Sequence, residues 1–112
     1  MKFYHNPKCK KSRAGLEYIK TKNVDFEIID YIKTGLTEIN LKEILSKLNI
    51  QPVDIIRTQE DLFKKELKNK SFNTQEWIKI ITENPKLLKR PIIVGERKAA
   101  IADPVEEMDK MF

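Results

Sequence analysis

The chain contains few of the residues from which many functional sites are built. Its 112 residues include one cysteine, one histidine and three glycines. A single cysteine cannot form an internal disulfide, so we expect a reduced thiol and a cytoplasmic protein. No pair of zinc ligands has the required spacing, and the glycines lie too far apart to form a phosphate-binding loop. We therefore expect neither a metal site nor a bound cofactor.

Long hydrophobic runs are also absent. No stretch approaches the roughly 18 uncharged residues that a membrane span requires. Charged or polar residues at Lys2, His5 and Lys8 interrupt the apolar core that a signal peptide would need. These absences predict a chain without a membrane partner.

Charge is plentiful and mixed in sign. The 22 basic residues exceed the 17 acidic ones and give a net charge of +5 with a pI near 9.3. That excess suits an acidic partner or an anionic substrate. Because the two signs alternate along the chain, we assign most lysines to solvated helix faces and do not expect nucleic-acid binding.

The first third of the chain has a strand–helix–strand pattern. "KFYH" (residues 2–5) is a short strand that Asn6-Pro7 stops, and "VDFEIIDY" (residues 24–31) is a second strand. A helix is predicted between them, from Cys9 to about Thr21. Its inward face comprises Ala14, Leu16, Tyr18 and Ile19. Such a βαβ unit implies a parallel pair of strands with a right-handed crossover.

The middle of the chain is predicted to be helical. Thr37 caps a helix whose apolar residues recur at helical spacing, namely Leu41, Ile44, Leu45 and Leu48. Pro52 suits the first turn of a short helix that ends at Ile56. A further helix is predicted from about Gln59 to Leu67.

The stretch "FNTQEW" (residues 72–77) is the clearest helix start. Asn73 is the N-cap, Glu76 closes a capping box, and Phe72 packs against Trp77. We expect this helix to bury Trp77, Ile80 and Ile81 and to end at Asn84-Pro85.

The last quarter changes from helical to strand periodicity. "PIIV" and "RKAAIA" flank Gly95-Glu96, the composition of a type II′ hairpin. Asp103 is then expected to cap a last helix with Pro104 in its first turn. The predicted fold is α/β, a thioredoxin-like mixed sheet in the order β-α-β, helical insertion, β-β-α. We expect one domain over residues 1–112, with the insertion at about residues 36–89.

The segment "YHNPKCKKSR" (residues 4–13) holds both the cysteine and the histidine. In this fold Cys9 lies at the N-terminus of the first helix, where amide N–H groups and the helix dipole favour a thiolate. A lone cysteine is often a small buried hydrophobe instead. The absence of an apolar neighbour between Pro7 and Ala14 favours the reactive interpretation. His5 either tunes Cys9 or simply bonds a backbone carbonyl.

The position three residues after Cys9 is Ser12 rather than a second cysteine. Cys9 therefore cannot resolve a covalent intermediate by itself, and any redox cycle needs an external thiol such as glutathione.

Two arginines have a suggestive context. Arg57 follows "VDII" at a predicted helix end, and Arg90 directly precedes the proline that opens the hairpin. In thioredoxin-like folds that proline is usually cis and faces the reactive cysteine, which would place Arg90 beside Cys9. A guanidinium binds a tetrahedral oxyanion with two parallel hydrogen bonds. Either arginine alone is better explained as a surface residue, but together with Cys9 the two resemble an oxyanion site.

The chain resembles the glutaredoxin-coupled arsenate reductases and their close relatives. The resemblance covers essentially the whole chain, and four segments carry it: "YHNPKCKKSR" (4–13), "IIRT" (55–58), "NP" with "LLKRPIIV" (84–94) and "DPVEEM" (103–108).

The resemblance implies a role for each matching residue. Cys9 is the nucleophile that attacks arsenate, His5 helps to hold it as a thiolate, and the Ser12 hydroxyl can hydrogen-bond that thiolate. The predicted substrate-binding residues are Arg13, Arg57 and Arg90. Glutathione is the implied co-substrate, and glutaredoxin is the implied partner that removes it as a mixed disulfide.

One position departs from the family pattern. The reductases have an arginine before the proline of the last helix, and this chain has Asp103, whose charge repels an oxyanion. Two alternatives stay open. One is a glutathione-dependent reductase of another substrate. The other is a regulator of the Spx type, which binds RNA polymerase without turnover, although those regulators typically carry Cys-x-x-Cys.

Overall fold

The computed structural model describes residues 1–112, and the chain divides into two compact units. The first unit combines residues 1–34 with residues 90–112, and the second is Gly35–Lys89. The single-domain organisation expected from the sequence stays a prediction.

A four-stranded mixed sheet forms the centre of the first unit. Its strands are β1 (Lys2–His5), β2 (Glu27–Asp30), β3 (Ile92–Val94) and β4 (Ala99–Ile101). They lie in the order β2-β1-β3-β4, with β1 parallel to β2 and antiparallel to β3, and with β3 antiparallel to β4. The predicted βαβ unit and β-hairpin are therefore confirmed. The second strand begins at Glu27 rather than at Val24, and it ends at Asp30 because Tyr31 already begins a helical turn.

Three helical elements complete this unit. They are α1 (Lys10–Lys20), the single turn α2 (Tyr31–Thr34) and a 3₁₀ helix (Val105–Met111). A buried cluster lies between α1, the sheet and the 3₁₀ helix, and it comprises Phe3, Ile19, Ile93, Ala100, Ala102 and Met108. This cluster fixes α1, and with it the position of Cys9, relative to β1.

The inward face of α1 differs in part from the prediction. Ile19 is buried, and Leu16 and Tyr18 pack against the core cluster, but Ala14 is exposed. Gly15 takes the buried place instead. A Cβ atom on Gly15 would lie 2.6 Å from the Cγ of Pro91, so the absence of a side chain lets the helix approach the start of the hairpin closely.

The hairpin turn and the last helix correct two further expectations. Val94 pairs with Ala99, so four residues rather than two form the connection. Gly95 does not have the positive φ that a type II′ turn requires. Asp103 does not cap the last helix, whose N-cap is Pro104 without a side-chain cap bond, because its carboxylate pairs with Lys11.

The second unit is helical. It contains α3 (Glu38–Leu48), a 3₁₀ helix (Pro52–Ile55), a π-helical turn (Phe63–Leu67), α4 (Thr74–Glu83) and a 3₁₀ turn (Pro85–Leu87). The helix predicted from Gln59 is therefore shorter than expected. An isolated antiparallel bridge joins Ile56 and Leu88.

Local side-chain signals start both long helices of this unit. The Thr37 hydroxyl accepts the amide N–H of Asn40, and Asn73 and Glu76 close the predicted capping box. Phe72 and Trp77 pack edge to face with ring centroids 4.8 Å apart. On α4, Ile78 is buried with Trp77 and Ile81, whereas Ile80 is only partly buried. On α3, Leu48 is likewise half-buried.

All helices are short. The longest, α1 and α3, have 11 residues each. None of the helices combines the length and the apolar character that crossing a membrane requires.

Candidate active site

Cys9 is the N-cap residue of α1. Its backbone is extended, with φ −93° and ψ 124°, and its side chain is partly exposed. The carbonyl of Cys9 accepts the amide N–H of Arg13 at 3.0 Å and begins the helical hydrogen bonding. The only thiol of the chain therefore lies where the first amide N–H groups of the helix point outward.

Asn6 shapes the turn that delivers Cys9 to this position. The Asn6 carbonyl accepts the Cys9 amide N–H at 2.9 Å, and its side-chain oxygen accepts the Lys8 amide N–H at 3.1 Å. The Asn6 side chain thus forms an Asx turn, for which the Asn-Pro signal is suited. Asn6 is buried, whereas Lys8 is exposed, so the turn is anchored from its interior side. Sequence reasoning marked the turn but missed this role of Asn6.

The pKa of Cys9 is lower than that of an ordinary thiol. Partial burial alone raises the pKa of Cys9. The backbone N–H of Ser12, the side chain of Arg90 and the backbone N–H of Lys11 favour the charged form of the sulfur, and together they lower its pKa by more. The Cys9 side chain makes no cap hydrogen bond to these amides, so their effect on the sulfur is electrostatic. The thiolate is what these donors stabilise.

The Ser12 hydroxyl lies in the interior and connects two other residues. Its Oγ is 2.8 Å from the Nδ1 of His5 and accepts the amide N–H of Asn6 at 2.9 Å. Ser12 is fully buried. The resemblance implied a bond from this hydroxyl to the thiolate. In the structure it is the backbone N–H of Ser12 that faces the sulfur. The hydroxyl instead contacts His5 and Asn6 in the interior and so stabilises the turn.

His5 ends β1 and is buried. Burial lowers the pKa of His5. The carboxylate of Asp30, its partner on β2, opposes this effect, and the cations of Arg13 and Lys20 reinforce it. His5 is therefore mainly neutral at pH 7, and the contact that the structure shows for its ring is with the Ser12 hydroxyl.

Arg90 is the arginine that contacts Cys9. The bond between Arg90 and Pro91 is cis, as expected for the proline that opens the hairpin. The Arg90 guanidinium donates to the Cys9 sulfur and also stabilises its charge at longer range. The predicted adjacency of Arg90 and Cys9 is thus present.

Arg13 lies in the first turns of α1, where its Nη1 atom donates to the Pro7 carbonyl at 3.0 Å. The guanidinium is exposed and closes the loop that carries Cys9. Its role in substrate binding stays a prediction.

Arg57 lies in the second unit. Its amide N–H donates to the Leu87 carbonyl at 2.7 Å, beside the Ile56–Leu88 bridge. Its guanidinium forms an ion pair with Glu60, one turn further along the chain. Both side chains are partly buried, and sequence reasoning missed that Arg57 carries this counterion. The spacing of Arg57 and Glu60 was visible in the sequence, but a pair at three residues' distance is too common to single out.

Comparison with known proteins places these features in context. The sequence profile described as the ArsC family matches residues 4–111. An arsenate reductase of Neisseria meningitidis is 32% identical over 114 residues, covering 100% of this chain and 97% of that protein. The uncharacterised protein YfgD of Escherichia coli is 36% identical over 110 residues, covering 96% of this chain and 92% of that protein.

One solved structure and two regulators are also similar to this chain. The structure of an arsenate reductase from Vibrio cholerae has a TM-score of 0.91 and 29% identity, covering 100% of this chain and 98% of that one. The regulatory protein MgsR of Bacillus subtilis is 31% identical over 111 residues, covering 97% of this chain and 87% of that protein. The global transcriptional regulator Spx of Streptococcus pyogenes is 29% identical over 104 residues, covering 92% of this chain and 78% of that protein.

The fold and the site define a thioredoxin-like protein with a single cysteine at the N-terminus of its first helix. The chain belongs to the ArsC family. The resemblance read from its sequence motifs is thereby confirmed.

Proposed function

We propose that this protein is a thiol-dependent reductase of arsenate, with the Cys9 thiolate as nucleophile. The observation that carries the proposal is the set of donors around Cys9, two helix amides and Arg90, in a chain of the ArsC family. Relatives named arsenate reductase support the same reaction.

The reaction begins with attack of the Cys9 thiolate on arsenic. A sulfur–arsenic bond forms, an arsenic–oxygen bond breaks, and the oxygen leaves as water after protonation. Arsenic(V) must then accept two electrons to become arsenic(III). A pair of thiols supplies these two electrons by forming one disulfide. The pair is either Cys9 with a second thiol, or that second thiol with a further one.

The second thiol comes from outside the chain, because Cys9 is its only cysteine. Glutathione is the proposed co-substrate and glutaredoxin the proposed partner that removes it as a mixed disulfide. No bound cofactor takes part in this cycle.

Three arginines are proposed to bind the oxyanion. Arg90 is proposed to stabilise charge on the arsenate oxygens, and its hydrogen bond to the reacting sulfur supports that role. Arg13 and Arg57 are assigned to the same role by the family motif. His5 and Ser12 hold the helix start rather than touch the substrate.

A second candidate function is a regulator without turnover, with RNA polymerase as the partner. The similarity to MgsR and Spx favours it. The absence of a Cys-x-x-Cys pair disfavours it, because Ser12 stands where the second cysteine of that switch would lie. A glutathione-dependent reductase of another substrate is the remaining alternative, and it uses the same Cys9 chemistry.

The test is arsenate-dependent NADPH consumption in the presence of glutathione, glutathione reductase and a glutaredoxin. We expect turnover by the wild type and none by Cys9→Ser. Omitting glutaredoxin from the same assay tests whether that partner is required. Absence of turnover in the wild type, together with copurification of RNA polymerase, would replace the reductase by the regulator.

A further inference from the structure

An ion pair joins the helix that carries Cys9 to the far end of the chain. The Nζ of Lys11 lies 2.9 Å from the Oδ2 of Asp103, although 92 residues separate them. Lys11 is in the first turn of α1, and its own backbone N–H faces the Cys9 sulfur. Asp103 therefore approaches the Cys9 site from the side of α1.

A second contact brings Asp103 to the same place from the hairpin. The amide N–H of Ala102 donates to the Pro91 carbonyl at 2.9 Å. Pro91 directly follows Arg90, whose guanidinium donates to the Cys9 sulfur. The residue before Asp103 is thus bonded to the residue after Arg90, and the Asp103 carboxylate is paired with Lys11, two residues after Cys9. We call this place the rim of the site.

The charge at this rim differs from that of the surrounding loop. Exposed cations follow one another around Cys9 at Lys8, Lys10 and Lys11, and the first turn of α1 contains no acidic residue. Asp103 adds one negative charge here, and its carboxylate forms an ion pair with the ammonium group of Lys11. Its side chain is 43% exposed, so an approaching anion meets this charge directly.

We propose that Asp103 is a specificity-determining residue of the Cys9 site, which limits the negative charge that a substrate can carry to the sulfur. Lys11 holds the carboxylate in place and is withheld from the substrate. The site then accepts uncharged or singly charged electrophiles, such as the monoanion of an oxyacid, in preference to small dianions. This inference rests on the proposed function only in taking Cys9 as the reactive group.

The test compares two alkylating reagents on Cys9. Iodoacetate is an anion and iodoacetamide is neutral, and with both the thiolate displaces iodide and forms a sulfur–carbon bond. Because both reagents consume the same thiolate, the ratio of their rate constants is independent of the fraction ionised. This ratio reports how strongly the site attracts an anion.

Asp103→Asn removes one negative charge, and we expect it to raise the iodoacetate-to-iodoacetamide ratio roughly two- to threefold at low ionic strength. Lys11→Gln leaves the carboxylate uncompensated and lowers the ratio by a similar factor. The double variant has the net charge of the wild type and returns the ratio close to the original value. At ~1 M salt the differences disappear, because the Debye length is then about 3 Å.

Glu17→Gln is the matched control. It removes the same charge from an exposed ion pair with Lys20 on α1, eight residues beyond Cys9, or about 12 Å along the helix axis. Its effect on the ratio is expected to be smaller than that of Asp103→Asn at every salt concentration.

The outcomes separate the inference from the proposed function. Equal ratios in the wild type, Asp103→Asn and Lys11→Gln, or equal effects of Asp103→Asn and Glu17→Gln, would overturn the role of Asp103 and leave the reductase intact. A Cys9 that reacts with neither reagent would overturn both.

Discussion

The imidazole Nδ1 of His5 lies 2.8 Å from the Oγ of Ser12, and this bond, rather than a contact with Cys9, connects the histidine to the active site. The same hydroxyl accepts the amide N–H of Asn6, in the turn before the cysteine. The backbone N–H of Ser12 then helps to lower the pKa of Cys9. One buried serine thus connects the end of β1, the turn and the start of α1.

Replacing Ser12 by alanine tests this connection. The variant leaves the buried N–H of Asn6 and the Nδ1 of His5 without their bond, which typically costs about 1–3 kcal/mol. We expect that loss in urea unfolding, together with a raised pKa of Cys9, because the helix amides are no longer held toward the sulfur. Ser46→Ala, on an exposed position of α3, is the control. Wild-type stability with an unchanged thiol titration would show that the hydroxyl is dispensable.

The lowered pKa of His5 predicts how the free energy of unfolding depends on pH. Its pKa in the folded protein lies below the ordinary value of 6.5, so that between the two values the unfolded chain binds a proton that the folded chain does not. The free energy of unfolding should therefore fall as the pH drops below about 6.5. It should stop falling once the pH is below the lowered pKa of His5 in the folded protein. His5→Asn keeps a side-chain nitrogen near Ser12 but cannot titrate.

Urea unfolding of both proteins at pH 8 and at several values below 6.5 measures this difference. The free energy of unfolding should fall more steeply for the wild type than for His5→Asn on acidification. At pH 8 both side chains are neutral, which gives the baseline for the substitution itself. Parallel acid profiles would contradict a depressed pKa of His5.

Gly15→Ala tests the close packing of α1 on the hairpin. The new methyl group would lie 2.6 Å from the Cγ of Pro91 and 3.3 Å from the Cζ of Phe3. Overpacking of this kind costs about 1–3 kcal/mol, whereas the gain in helix propensity is about 1 kcal/mol. We expect a net loss of about 1 kcal/mol and slower alkylation of Cys9, because Arg90 moves with Pro91.

The control for Gly15→Ala is Gly95→Ala. There the nearest side-chain atom is the flexible end of Met111, at 3.0 Å, which can move aside. Equal stability of the Gly15 variant and the wild type in thermal unfolding would mean that the helix shifts without penalty.

The ion pair of Arg57 with Glu60 predicts that Glu60 and an oxyanion substrate compete for the Arg57 guanidinium. If Arg57 binds the oxyanion, Glu60 occupies part of its guanidinium and opposes a second anion. Glu60→Gln keeps a hydrogen-bonding partner but removes the charge, so we expect KM for arsenate to fall severalfold while kcat changes little. Glu66→Gln, an exposed acidic residue of the same unit, is the control. An unchanged KM in Glu60→Gln would remove Arg57 from the substrate site.

The parts of the fold that could be predicted are those with local signals. Thr37 and Asn73 bond amides only three residues away, so the sequence around each position contains the whole cap. The βαβ order follows from the alternation of short apolar runs with one amphipathic helix. The proline signal at Pro91 likewise placed Arg90 beside Cys9.

The parts that could not be predicted depend on distant partners. Asp103 has the composition of a helix cap, yet its carboxylate bonds Lys11, 92 residues earlier. Gly15 is buried because Pro91 and Phe3 pack against it. His5 was expected either to tune Cys9 or to bond a backbone carbonyl, and the partner that the structure shows for its ring is the Ser12 hydroxyl, seven residues later.

The pH dependence of Cys9 alkylation by iodoacetamide tests most directly whether the start of α1 and Arg90 hold Cys9 as a thiolate. The structure predicts a midpoint below the value of ~8.5 for a free cysteine, a higher midpoint in Arg90→Gln, and no uptake of label in Cys9→Ser. A wild-type midpoint at or above that of free cysteine, unchanged in Arg90→Gln, would contradict the account.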